Sequence, residues 1–103
     1  MKQYLIDFNE LPWESQMTGH RYKISRQGNR QLRLVECTKD MEPHWCEKGH
    51  IGFVLDGKLE IRFENNVLVF NSGDGIFIPD GEEHKHMPRA LTDVVRFILV
   101  EDV

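Results

Sequence analysis

KLEIRFENNVLVF, residues 58–70, decides the class of the fold. Leu59, Ile61 and Phe63 alternate strictly with Lys58, Glu60, Arg62 and Glu64. A period of two is the mark of a strand with one face buried and the other wet. Asn65-Asn66 reads as a tight turn, and VLVF (67–70) as the returning strand of a hairpin.

Outward from this hairpin the pattern repeats. Downstream, NSGDG (71–75) is a loop, IFIP (76–79) a short strand, PDGEE (79–83) a second loop, and a strand resumes at His84. VVRFILV (94–100) is nearly all apolar and is expected to be buried on both faces. Upstream, Asp56-Gly57 is a hairpin signal that would join GFVL (52–55) to the 58–64 strand. YKIS (22–25) and QLRLVECT (31–38) read as strands, and a slip in phase at Leu34-Val35 points to a bulge. The first twenty residues, with Pro12, Trp13 and Gly19, read as an extended arm or edge strand. Short strands with turn signals about every 8–12 residues imply an all-β sandwich or barrel. No repeat, low-complexity tract or linker divides residues 1–103, so one domain is expected.

Composition narrows the function classes. A chain of 103 residues, 40% hydrophobic and 29% charged, suits a globular domain with a modest core. Its net charge of −4 and scattered Lys and Arg argue against nucleic acid and anionic membranes as partners. Two cysteines, Cys37 and Cys46, are too few for a disulfide framework. The N-terminus lacks the apolar run of about 7–15 residues of a signal peptide, and no stretch nears the roughly 20 of a membrane span. A cytoplasmic protein is the expectation.

Chemistry concentrates in two segments, which hold four of the five histidines: PHWCEKGHIGFVLDG (43–57) and GDGIFIPDGEEHKHM (73–87). His44 and Cys46 share a face if extended, and His50 follows across a short loop. His84 and His86 also share a face. In these segments the chain resembles the cupins, whose two motifs place metal ligands inside a small barrel. Gly73, Pro79, Gly81 and His84 match the second motif, with Pro88 where its closing Asn would stand. His44, His50 and Gly57 fit the first motif, with Cys46 in place of its second histidine and His50 in place of its carboxylate. Together the motifs span residues 44–88.

The resemblance implies an antiparallel jelly-roll barrel, or double-stranded β-helix, and a ligand set of His44, Cys46, His50 and His84. Three imidazoles and a thiolate favour zinc, iron(II), nickel, cobalt or copper(I) over oxygen-preferring manganese and magnesium. If Cys46 is instead a packed small hydrophobe, three histidines remain with open positions. His86 is a cavity residue, second-shell base or solvated side chain, and Glu47 a loop carboxylate or substitute ligand. Phe53, Phe63, Phe77 and Phe97 are expected in the core, and Trp45 outward. A Cys46 nucleophile with His44 or His50 as base would leave His84 unexplained.

Three functions fit this pattern. The chain could be a metal-dependent enzyme, such as an oxygenase, isomerase or lyase, acting on a small organic molecule. It could be a ligand-binding or sensing domain with a structural metal, or a metal-free barrel used for packing. The resemblance and the arm around Leu11, Pro12 and Trp13 together imply a homodimer.

Overall fold

Strict alternation in 58–63 produces the strand expected of it. Leu59 and Ile61 are buried, and Arg62 faces water. The computed structural model describes residues 4–103; the first three residues of the expected arm lie outside the described residues. Within them the strands are β1 (Glu14–Met17), β2 (His20–Gln27), β3 (Arg30–Thr38), β4 (His50–Asp56), β5 (Lys58–Phe63), β6 (Val67–Asn71), β7 (Gly75–Ile78), β8 (His86–Ala90) and β9 (Val94–Asp102). Short 3-10 turns occupy Phe8–Glu10 and Glu82–His84.

All strand pairings are antiparallel. One sheet has the order β1-β2-β3-β9-β4-β7, the other β6-β5-β8. From β4 onward the chain passes between the sheets at 57, 72–74, 79–85 and 91–93, the winding of a jelly roll. The inward faces of both sheets make the core, with Val35, Cys37, Val54, Leu59 and Val95 almost wholly enclosed. Such burial contributes about 1.5–3 kcal/mol for each large aliphatic side chain.

Several local expectations are corrected. Asp56-Gly57 does reverse the chain, with Gly57 at φ +84, but β4 and β5 belong to different sheets and form no hairpin. β3 runs in unbroken register against both β2 and β9, with no bulge at Leu34-Val35. Its phase slip arises because Arg33 takes an inward position beside Val35 and Cys37, while Leu32 and Leu34 face outward. The register irregularities fall instead at Glu14/Met17 and Val54/Asp56. β9 buries one face only, through Val95, Phe97, Leu99 and Glu101. Phe97 is core and Phe63 packs against it, but Phe53 is 46% and Phe77 75% exposed, because both point out from the large sheet. The second segment resumes its strand at His86, two residues later than expected, since 82–84 wind into a 3-10 turn.

Candidate metal centre and barrel cavity

Backbone bonds bring the two chemically rich segments together. Residues 42–49 are irregular apart from one bridge, in which Cys46 N donates to His86 O (2.8 Å) and His86 N to Cys46 O (2.9 Å). Gly81 N donates to Glu47 O (3.0 Å), and Gly49 N to Asp80 Oδ1 (2.6 Å). These four bonds pin the loop ahead of β4 to the loop ahead of β8. Gly49 permits so close an approach, since a Cβ there would strike the Ile78 carbonyl and the backbone of Pro79 and Asp80.

The clamp gathers Cys46, His50 and His86, whose candidate ligand atoms all lie within 4.8 Å of one another. Cys46 Sγ is 4.0 Å from His50 Nε2, and the two imidazoles meet edge to face at 5.1 Å between centroids. Each imidazole is held by its other nitrogen. His86 Nδ1 lies 3.1 Å from the carbonyl of His84. A carbonyl only accepts, so Nδ1 carries the proton and Nε2 keeps its lone pair. That Nε2 is buried with no aligned hydrogen-bond partner among the described residues. His50 Nδ1 stands 2.6 Å from Glu101 Oε2. The pair is not aligned as a hydrogen bond, but at that separation charge attraction governs it. A carboxylate or carbonyl behind each imidazole is the usual second shell of a metal-binding histidine.

The sequence-expected site residues divide. Cys46 and His50 are in the cluster. His44 lines the same cavity with Nδ1 3.3 Å from the Glu42 carbonyl, but is outside the cluster. His84 sits on the 3-10 turn, its side chain 43% exposed and Nε2 3.9 Å from Glu83 Oε1. His86, 2% exposed, occupies the cluster position that the motif assigned to His84. Glu47 is exposed.

Sequence reasoning passed over Glu101, Arg33 and His20. Glu101 accepts from Arg33 Nε (2.6 Å) and Nη2 (2.7 Å) and from Gln31 Nε2 (2.8 Å), with its side chain 0% exposed. Parity was the signal available for all three. Glu101 falls in the inward series of Val95, Phe97 and Leu99, Arg33 in that of Val35 and Cys37, and His20 in that of Tyr22. A charged or imidazole side chain in an inward series is a site candidate.

The cluster opens into a cavity of about 240 Å³ between the sheets, lined by His20, Arg33, Cys37, His44 and apolar side chains such as Ile61 and Phe97. Electrostatics around the cluster are distinctive. The imidazole of His50 does most to hold the Cys46 thiol down to about 5, against the opposing effect of burial. Burial pulls His50 downward, but Cys46 and Glu101 outweigh it and raise its pKa. For Cys37 burial alone dominates and pushes the thiol up to about 12. His20 is lowered by burial and then by Arg33.

A reactivity prediction follows for the metal-free chain. Alkylation by iodoacetamide should modify Cys46 and spare Cys37. Its rate should follow a pH midpoint near 5, not the roughly 8.5 of a free thiol. The rate on the plateau will be moderate, since nucleophilicity falls with pKa. Equal labelling of both thiols, or a midpoint above 8, would contradict this electrostatic reading.

Comparison with known proteins agrees with the fold. The family description "Cupin domain" matches residues 32–101. KdgF from Halomonas sp. superposes with a TM-score of 0.75 at 22% identity, over 91% of this chain and 89% of that one. A cupin-2 domain containing protein from Shewanella frigidimarina NCIMB 400 gives 0.71 at 20% identity, over 100% and 99%. HppE in its Fe(II) form gives 0.75 at 16% identity, over 96% of this chain but 59% of HppE, so the chain spans under three fifths of that protein. No curated protein matches the chain. No described helix is long and apolar enough to cross a membrane. The match over 32–101 runs from β3 to β9 and takes in both clamped segments, and on it the chain belongs to the cupin family.

Proposed function

We propose that this cupin holds a divalent transition metal on Cys46, His50 and His86, with His44 as a fourth donor at the cavity wall, and acts on a small organic molecule there. The observation that carries this reading is the pair of imidazoles tied back through Nδ1 beside a low-pKa thiol. The residues fit such an ion. Zinc–ligand bonds of about 2.0–2.3 Å in a tetrahedron put donor atoms roughly 3.5 Å apart. The donors here need to close by about an ångström from their 4.0–4.8 Å spacing. Zinc, iron(II), nickel and cobalt all suit imidazole and thiolate. The Fe(II) form of HppE favours a redox-capable ion among these.

Bound metal would supply Lewis acidity or, as iron, dioxygen chemistry. The chain's own residues do the rest. Glu101 and the His84 carbonyl orient the two imidazoles, and the apolar wall keeps bulk water from the cavity. Cys46, already a thiolate at neutral pH, can bind metal without first losing a proton. A binding domain with the same ion is the second reading. It is favoured by the cavity's size, which leaves little room beyond one small ligand.

Elemental analysis tests the centre. The parent and a His84→Ala variant should each carry about one transition metal per chain, and His86→Ala should carry almost none. Loss in His84→Ala with retention in His86→Ala would return the ligand set to the motif's assignment. Absence of metal from the parent, even after reconstitution with zinc, nickel and iron(II), would overturn the centre altogether.

A homodimer forms part of the proposal, with the interface moved from the arm. Trp13 is occupied within its own chain, under the Arg21 guanidinium at 4.0 Å and beside Lys23 Nζ at 4.9 Å. The outer face of the large sheet instead presents Ile51 opposite Phe77 and Phe53 opposite Ile98, with Leu55 alongside. A contiguous apolar sheet face of this kind is suited to packing against its own copy about a two-fold axis. Light scattering at micromolar concentration should give twice the 12.1 kDa chain mass, and Phe77→Glu should return it to the single-chain value. A parent that already runs at the single-chain mass would remove the dimer.

A further inference from the structure

We infer that Arg33 and His20 form an anion-recognising wall of the barrel cavity, selecting a small ligand that carries a carboxylate or an equivalent singly charged acidic group. The inference rests on the reading of this cavity as a ligand site and names the ligand's chemical class.

Both residues sit on the β2–β3 wall and line the same cavity as Cys46 and His50. A guanidinium has five N–H groups, and Glu101 takes one on Nε and one on Nη2. The other three have no protein acceptor among the described residues. Arg33 is nonetheless only 16% exposed, so those N–H groups look into the cavity more than into bulk water. The Tyr22 ring, 5.2 Å from the guanidinium carbon, supports it from the side. His20 Nδ1 is likewise buried with no hydrogen-bond partner among the described residues. A buried polar atom without a partner is uncommon and destabilising, and a turn of the His20 ring towards the cavity would let a ligand oxygen satisfy it.

Donor chemistry selects the class of ligand. The spare Arg33 N–H groups can only donate, and so call for an acceptor oxygen with or without a metal ion in the cavity. Planar donor geometry at Arg33 favours a carboxylate, which accepts two parallel N–H groups.

The test is an NMR titration of the full ¹⁵N-labelled chain, free of metal, with butyrate and with 1-butanol as its uncharged match. Without metal, no carboxylate–metal bond can account for binding. Butyrate should shift the Arg33 Nε–H and the His20 ring signals saturably, and butanol should leave Arg33 unmoved. Affinity for butyrate should fall tenfold or more in His20→Ala and vanish in Arg33→Gln. If Arg33→Gln fails to fold, His20→Ala decides alone, because it removes a ring nitrogen that has no partner. Equal shifts from both probes, or unchanged butyrate affinity in His20→Ala, would overturn the inference. Zinc stoichiometry is measured separately. A chain that takes zinc but ignores butyrate overturns only the anion wall, and one that takes butyrate but no zinc overturns only the metal centre.

Discussion

Changing Glu101 to alanine will destabilise the metal-free protein by about 3–5 kcal/mol and weaken metal binding about 10–100-fold. Glu101 is fully buried and holds three partners at once: Arg33, Gln31 and His50. Its removal leaves the nearly enclosed Arg33 guanidinium without a counter-charge, which is the costly way to break a buried pair. It also frees the His50 ring to turn. Glu101→Gln should fall between parent and alanine in metal affinity, since it keeps the shape and loses the charge. Denaturant unfolding and metal titration of the three proteins check both parts, and parent-like unfolding of Glu101→Ala would refute the argument.

The same pair sets a pH signature. Burial opposes ionisation of Glu101, but His50, Arg33 and Gln31 overcome it and hold its pKa far below the ordinary 4.5. A lowered carboxylate stabilises fully above its unfolded pKa and loses that contribution as pH falls through the folded value. His50 is raised above 6.5, so its contribution is complete below 6.5 and is lost as pH rises through its folded value. Below pH 4.5 the parent should therefore lose stability more steeply than Glu101→Ala.

The second large effect is expected at Gly52. A Cβ built there lands on the carbonyl oxygen of Ile98 and stands 2.8 Å from Leu99 Cδ2. The first neighbour is backbone and cannot rotate away. Gly52→Ala must therefore push β4 from β9 where Gly52 pairs with Leu99, two residues from His50. Overpacking of this kind costs about 1–3 kcal/mol, and a backbone clash belongs at the upper end. For a chain of this size that is a fall in Tm of roughly 10 °C or more. Metal occupancy should drop as well, since His50 moves with β4. A calorimetric scan with an unchanged Tm would show that the strands separate without strain.

Legibility of the sequence followed the reach of each signal. Period-two alternation is a local property, so the 58–70 hairpin was readable outright. Turn chemistry is local too: Asp56-Gly57 announced a reversal but could not say that the chain was changing sheets, because sheet membership is decided by partners far along the chain. The bulge assigned to Leu34-Val35 was a charged residue, Arg33, taking an inward position. Phe53 and Phe77 were assigned to the core by hydrophobicity alone, whereas their parity puts them on the outer face. The site was partly visible. Spacing singled out Cys46 and His50, which the structure brings together, but His84 and His86 have the same parity. Only the 3-10 turn at 82–84 determines which of them enters the barrel.

The pairing of β3 with β9 joins Arg30 to Asp102 and Thr38 to Val94. Contacts between residues so distant in the chain form slowly, because a long loop must close before they contribute. A ribosome releases residues 94–102 after every other described strand. Until they arrive, β3 and β4 lack the strand that lies between them and expose open hydrogen-bonding edges. Cys46, His50 and His86 have by then emerged, while the carboxylate that steadies His50 has not. The order of synthesis thus places the Cys46–His50–His86 cluster ahead of its support, and the cluster takes its folded geometry only when β9 joins β3 to β4.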